Sequence, residues 1–276
     1  MPADTLALDG KVAIVTGSGR ENGIGAGIAR ALARNGASVA IHYVSESTKP
    51  RAEKLAAEIS KELDAKTAVV QGAVEEPGTA DRIVQETLKA FHADSVDILV
   101  NNAGTGTIDG LMDATPKLLN DAFGVNVYGT LYMSQAVVGT GKMPQGGRII
   151  NVGSISSKTG PNQTGIYAAA KAAQDSMTTS LAGELGVSRG ITVNSVGPGP
   201  VLTDLAKPVL QPDGNAGSFQ ESLVSRTRAA ARVGTVEDIA DAVLLLVSEK
   251  SRWITAQWIS VSGGITGSIE NEMRQT

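Results

Sequence analysis

A glycine-rich turn between a short apolar run and a helix constrains this chain more than any other feature. Lys11-Val12-Ala13-Ile14-Val15-Thr16 has the composition of a strand buried on both faces of a parallel sheet. It passes directly into Gly17-Ser18-Gly19-Arg20-Glu21-Asn22-Gly23-Ile24-Gly25. Residues 23–35 then place Ile24, Ile28, Ala31 and Leu32 at helical spacing, and Gly36 follows as a helix-ending glycine. Glycines in such a turn let the backbone approach a pyrophosphate. The helix start adds unpaired N–H groups and a partial positive charge. A tight turn with packing glycines has the same composition. Its position after the first strand of an alternating chain is what favours a nucleotide.

The alternation continues along the chain. Further strands are expected at 38–44, 68–71, 96–100, 148–152, 191–196 and 258–261. Helices are expected at 51–63, 80–91, 116–138, 165–185 and 236–248, with a long irregular stretch before the last. Strands alternating with helices predict βαβ units. No linker, repeat or low-complexity segment divides the sequence. The expected fold is α/β: residues 1–276 as one single-domain, doubly wound parallel sheet, Rossmann-like, with helices on both faces. The 32 glycines in 276 residues and an aromatic content of 3% suit helices packed closely on such a sheet.

Composition also removes whole classes of function. The absence of cysteine excludes disulfides, thiolate metal sites and a cysteine nucleophile. His42 and His92 are far apart, so a histidine metal site is not expected and no metal is assigned. A net charge of −4 argues against nucleic acid and anionic membranes as partners. The longest purely apolar run, 242–247, is too short for a bilayer, and the first ten residues lack a secretory pattern. A soluble, cytoplasmic protein is expected.

The second strand ends in Ile41-His42-Tyr43-Val44-Ser45-Glu46. An NAD site wants a carboxylate at this strand end to accept from the ribose 2′-hydroxyl. Ser45 stands at that position, with Glu46 one residue late. Arg20 in the glycine turn, with Lys49 and Arg51 nearby, offers instead to neutralise a 2′-phosphate, so NADP(H) is preferred over NAD(H). The same cations also read as ordinary surface charges. His42 reads as a packed strand residue.

Tyr167 and Lys171, four apart on an expected helix, share a face. A phenol with an ordinary pKa of about 10 is a poor catalyst near neutrality. A neighbouring ammonium favours phenolate and tunes it toward acid–base work. The spacing alone is common by chance. Ser154 adds context, because it ends the fifth strand, and ligands of open α/β sheets bind at strand carboxyl ends. A hydroxyl there can hold a carbonyl oxygen while Tyr167 gives it a proton. Asn126, within an apolar helix, reads either as a satisfied buried amide or as a group holding water behind the lysine.

These pieces together strongly resemble the short-chain dehydrogenase/reductase family in its shorter, single-domain form. The resemblance runs from about Asp9 to Gly267. It rests on Thr16-Gly17 with Gly23-Ile24-Gly25, Asn101-Asn102-Ala103-Gly104, Asn126, Gly147 through Ser154, Tyr167-x-x-x-Lys171, Pro198-Gly199-Pro200-Val201, Arg232-Val233-Gly234 and Val261-Ser262-Gly263-Gly264. It implies a catalytic set of Asn126, Ser154, Tyr167 and Lys171. Tyr167 would be proton donor and acceptor, and Lys171 would tune it and bind the nicotinamide ribose. Ser154 would polarise the carbonyl, and Asn126 would hold a relay water. The cofactor would lie on Gly17, Gly19, Arg20, Gly23, Ile24, Gly25, Tyr43 and Ser45, with Asn101, Ala103 and Gly104 on its adenosine-ribose side. Pro198, Gly199, Val201 and Thr203 would flank the nicotinamide. The small-molecule partner would be a carbonyl or alcohol, the assembly a homotetramer or homodimer.

Departures from the family pattern are specific. Five residues, not three, separate Thr16-Gly17 from Gly23-x-Gly25, with the extra pair near Glu21-Asn22. Ala73, Ala256 and Ser262 replace a frequent Asp, Gly and Asp. Substrate choice is expected in 105–113, 155–166 and 202–231, the last forming a lid over cofactor and substrate. Among products, a ketone or aldehyde reductase of biosynthetic or specialised metabolism leads. A 3-oxoacyl-thioester reductase and a non-catalytic NADP-sensing regulator on the same fold are the alternatives.

Overall fold

In a computed structural model, residues 6–106, 108–161, 164–204, 206–211 and 217–267 are described. The elements run β1 (Val12–Val15), α1 (Ile24–Arg34), β2 (Ser38–Tyr43), α2 (Lys49–Leu63), β3 (Thr67–Gln71), α3 (Thr79–Phe91) and β4 (Ile98–Asn101). They continue through α4 (Pro116–Phe123), α5 (Thr130–Val138), β5 (Arg148–Val152), α6 (Ser156–Thr159), α7 (Gly165–Arg189) and β6 (Thr192–Pro198). The described chain then forms α8 (Lys207–Leu210), α9 (Ser218–Val224), α10 (Val236–Val247) and β7 (Trp258–Val261).

All seven strands are parallel, in the order β3-β2-β1-β4-β5-β6-β7. The chain builds outward from β1 to β3, then returns to place β4 on the other side of β1. That reversal opens a crevice at the carboxyl ends of β1 and β4, where ligands of such sheets bind.

Strand periodicity explains the layers. Ala13 and Val15 face one side with Val39 and Ile41, against Ile28 and Leu32 of α1, Leu55 and Ile59 of α2, and Ile239 and Val243 of α10. Val12 and Ile14 face the other with Leu99, Ile149 and Val193, against Ile83 of α3, Met133 and Val137 of α5, and Ala182 of α7. Each fully buried aliphatic side chain contributes about 1.5–3 kcal/mol. This is the doubly wound sheet expected from the alternation.

Three elements differ from those expected. The single helix at 116–138 is interrupted by a π-helical turn, Gly124–Gly129, which carries Asn126. Gly129 is required there, since a β-carbon would lie 2.6 Å from Val74 Cγ2. Helix α7 runs a turn beyond 185 and stops at Gly190, whose φ of 66° is left-handed. The stretch read as irregular contains α8 and α9. Leu205 and residues 212–216 of the expected lid lie outside the described residues, Gly214 among them. No helix of the described chain is long and apolar enough to cross a membrane.

Candidate active site

The glycine turn is seated by hydrogen bonds that the motif does not advertise. Thr16 Oγ1 accepts from the backbone of Asn102 at 3.0 Å and of Ala103 at 2.9 Å. The Asn102 amide returns to the Thr16 carbonyl at 2.8 Å and the Gly17 carbonyl at 3.2 Å. The turn is thus stitched to the end of β4. Gly17, at φ 64°, approaches Ala103 so closely that a β-carbon would lie 2.8 Å from its Cα. At Gly25 the same atom would meet the Asn102 amide at 2.5 Å.

His42 fixes the turn from beneath. It is fully buried, its Nδ1 accepts from Gly17 N–H at 2.9 Å, and its Nε2 lies 2.8 Å from the Gly72 carbonyl. An acceptor Nδ1 requires the proton on Nε2, so the ring is neutral. Burial presses its pKa down to about 4. The structural reading of His42 holds, and the sequence did not show what it supports.

Helix α1 opens at Gly23 with no side-chain cap, and an uncapped helix start of this kind suits an anion. Tyr43 is packed inward, with Gly19 against its Cβ. Ser45 is exposed at the end of β2, where its hydroxyl caps the turn of 46–48. Glu46 is also exposed and faces Lys49 at 3.9 Å. Arg20 is exposed at the turn's edge.

Arg51 is not a free cation. Its Nε contacts Glu21 at 3.1 Å and its Nη2 contacts Asp204 at 2.5 Å. Lys54 joins Glu21 at 3.1 Å, and the Asn22 amide donates to Asp204 at 3.1 Å. These contacts hold the Glu21 and Asp204 carboxyls below, and the Arg51 guanidinium above, their ordinary ranges. The turn on β1 and the segment beyond β6 stand three strand positions apart, about 14 Å. The extra pair Glu21-Asn22 lets the turn reach Asp204, and these contacts among Glu21, Asn22, Arg51, Lys54 and Asp204 form a strap across the crevice.

At the other end, Ser154 follows β5 and Tyr167 rises from the start of α7. Ser154 Oγ accepts from Ser156 N–H at 3.1 Å, which leaves its own proton to donate. Ser154 stands beside Tyr167, close enough to influence its phenol. Burial pushes the Tyr167 phenol up, partly offset by Ser154. Lys171 is buried beneath, 5.9 Å from the Tyr167 ring centre. Its Nζ donates to the Val152 carbonyl at 2.8 Å and to Gln174 at 3.2 Å, and burial lowers its pKa to about 8. Lys171 is not among the groups that set the phenol's direction in this structure. The ammonium is drawn to β5 and Gln174, and desolvation sets the phenol's direction.

Asn126 donates to the Ala122 and Thr105 carbonyls at 2.8 and 3.0 Å. Its Oδ1 is buried without a partner. A β-carbon on Gly104 would sit 2.9 Å from that oxygen and 3.5 Å from Lys171 Nζ, so the glycine keeps a polar space open between them. Asn101 ends β4 at the crevice. Its side chain turns into the sheet, to Asn151 at 2.9 Å and Ser134 at 3.3 Å, so only its backbone is left to face the ribose side. Ala103 and Gly104 remain at the crevice. Pro198 ends β6, Gly199 packs on Ser262, Val201 bridges to Gly234, and Thr203 caps the turn into α8.

Sequence reasoning missed Gln174 and Thr130. Gln174 Nε2 donates to Thr130 Oγ1 at 2.8 Å, and Thr130 donates to the Asn126 carbonyl at 3.0 Å. The chain Lys171-Gln174-Thr130-Asn126 ties lysine to asparagine. Only the i,i+3 spacing of Lys171 and Gln174 signalled it. The residues fit a dinucleotide: an uncapped helix start, a turn held for close approach, and an orphaned buried acceptor beside the lysine.

Comparison with known proteins agrees with this geometry. Residues 17–266 match the family model described as enoyl-(acyl carrier protein) reductase. Over 256 residues the chain is 40% identical to the short-chain dehydrogenase/reductase FrzI of Cladobotryum sp, covering 92% of this chain and 95% of the relative. Over 260 residues it is 35% identical to the 3-oxoacyl-[acyl-carrier-protein] reductase FabG of Escherichia coli, covering 94% and 99%. Among solved structures, the angucycline C-6 ketoreductase LanV with bound NADP superposes with a TM-score of 0.83 at 33% identity, covering 94% and 96%.

Proposed function

The chain belongs to the short-chain dehydrogenase/reductase family, and on that premise we propose an NADP(H)-dependent oxidoreductase that interconverts a carbonyl and an alcohol. The observation that carries this reading is the meeting of Ser154 and Tyr167 above a buried Lys171 at the end of β5. Bound nicotinamide supplies the hydride. Ser154 donates to the substrate oxygen with the proton that Ser156 leaves free. Tyr167, raised by burial, is protonated at neutral pH and gives that proton to the oxygen as it gains charge. Asn126 Oδ1 and Lys171 hold a water that restores it. Lys171 stays an ammonium below about pH 8.

The preference for NADP(H) is supported by Arg20, exposed at the turn's edge, by Ser45 standing where a carboxylate would sit, and by Arg51, which a 2′-phosphate would draw from its exposed pairs with Glu21 and Asp204. The NADP carried by the LanV structure is consistent with it. The remaining cofactor contacts are Gly17, Gly19, Gly23, Ile24, Gly25, Tyr43, Ala103, Gly104, Pro198, Gly199, Val201 and Thr203. A ketone or aldehyde of biosynthetic or specialised metabolism is the substrate class we favour. Likeness to FabG supports a 3-oxoacyl thioester as the second reading.

Helix α7 supports a homotetramer. Its outer face exposes Ala169, Ser176, Ser180, Gly183 and Val187, small enough for close approach of another subunit. Residues 202–231 would act as a lid over the one domain, 1–276, in the cytoplasm. Sedimentation as a monomer at micromolar concentration would remove the tetramer. Protection of the lid from protease by NADPH plus substrate would support closure.

The test follows NADPH absorbance across ketones, aldehydes, quinones and 3-oxoacyl thioesters, with NADH alongside. Tyr167→Phe should lower turnover about 10²–10⁴-fold while NADPH still binds. Turnover untouched by that change would defeat the mechanism.

A further inference from the structure

Asp175 is the one buried carboxylate among the described residues. It lies on α7 four residues beyond Lys171 and eight beyond Tyr167, on the same helical face. A carboxylate in such a place is costly unless its oxygens are satisfied. Oδ1 accepts from Ser195 Oγ of β6 at 3.0 Å. Oδ2 faces Ser157 Oγ at 2.7 Å and Lys158 Nζ at 3.1 Å. Ser157 and Lys158 belong to α6, the turn that immediately follows Ser154.

The same carboxylate closes on the backbone of that turn. A β-carbon on Gly153 would lie 3.0 Å from Asp175 Oδ1, so glycine is what lets the acid pack beneath the residue before Ser154. Ser157 Oγ lies 2.8 Å from the Ser154 carbonyl as well as 2.7 Å from Asp175. Its single proton joins the two. Lys158 in turn lies 5.3 Å over the Trp258 ring, which anchors it to β7. The titratable groups facing Asp175 among the described residues are Lys158 on α6, and Lys171 and Tyr167 on its own helix. Its negative charge favours the protonated form of both Lys171 and Tyr167.

Resting on the carbonyl-reductase reading, we propose that Asp175 is a positioning residue of the catalytic centre. It pins the turn carrying Ser154 from behind and faces Lys171 and Tyr167 with a buried negative charge. It touches no reacting atom, so its effect passes through those three.

Two readouts test it. The phenolate absorbance of Tyr167 is titrated without substrate or cofactor, as the difference between the wild type and Tyr167→Phe. The alkaline limb of NADPH-dependent reduction is then measured separately. Asp175→Asn should move both titrations to lower pH and lower kcat about ten- to a hundredfold, with the NADPH Kd within about twofold. Ser157→Ala keeps the charge but removes the pin, and should lower kcat with the limb unmoved. Should Asp175→Asn not fold, Lys158→Met serves, because it removes the exposed countercharge and should move both titrations to higher pH. Loss of activity without movement of the phenolate titration in Asp175→Asn would overturn the proposal, as would a downward shift in Lys158→Met. The phenolate readout stands even if no carbonyl is reduced. Failure of the reductase reading would therefore appear as no carbonyl reduced by the wild type while the phenolate titration still responds to Asp175→Asn, a different result.

Discussion

At the Tyr167 end of the crevice, Asn101, Asn151, Thr178, Gln174, Thr130 and Lys171 form runs of hydrogen bonds and are all buried. At the glycine-turn end, Glu21, Arg51, Lys54 and Asp204 are joined by ion pairs whose side chains are 23 to 64% exposed. The difference teaches where geometry is held and where it is adjusted. A buried amide that loses its partner meets the full desolvation cost, so the first region has one arrangement. Exposed ion pairs are each worth about 0–1 kcal/mol, so the strap can yield when an anion arrives.

His42 lies on the cofactor side but is buried, so it separates location from burial. Its unfolded-state pKa is about 6.5, and in the fold it is about 4. The unfolded chain therefore takes up a proton first as pH falls. Stability from this group is complete above pH 6.5 and is lost between 6.5 and 4, by about 3 kcal/mol. Urea unfolding across that range, compared with His42→Gln, should show this loss only in the wild type. Equal slopes for the two proteins would mean that the glycine turn does not depend on a neutral ring.

Asn151→Ala should cost about 2 kcal/mol, because Asn101 and Thr178 would each lose a buried partner. A loss below half of that, by chemical denaturation, would show the catalytic side to be as adjustable as the strap. Arg51→Met should weaken NADPH by about tenfold, and NADH by much less, by fluorescence titration. Equal weakening of both would assign Arg51 to the strap alone. Asp204→Asn is the smallest change. It should alter stability by less than about 1 kcal/mol, with the difference fading as salt is added. A salt-independent loss would put the strap in the rigid class.

Much of this was legible in one dimension because its physical causes are local. The glycine turn, the strand pattern and the Tyr167–Lys171 spacing are properties of neighbouring residues, and each appeared where the alternation placed it. Asn126 was legible as an ambiguous amide, and its unpartnered Oδ1 required the close approach of Gly104 to be seen. The π-turn around it was not legible, since its cause includes Val74, some fifty residues away.

Arg51 and Asp175 show the same limit from both sides. The sequence marked Arg51 as a nearby cation but not as the partner of Asp204, 153 residues on. It left Asp175 unmarked, though the residue continues the period of Tyr167 and Lys171. The sequence by itself determined the sheet, the crevice and which side chains stand at its ends, because periodicity, glycine geometry and helical spacing act over a few residues. Only the tertiary structure decided which charges are neutralised, which amides are buried and which acid lies behind the serine. Burial and pairing depend on residues brought together by the strand order, and desolvation, which sets their energies, has no meaning until the chain has closed around them.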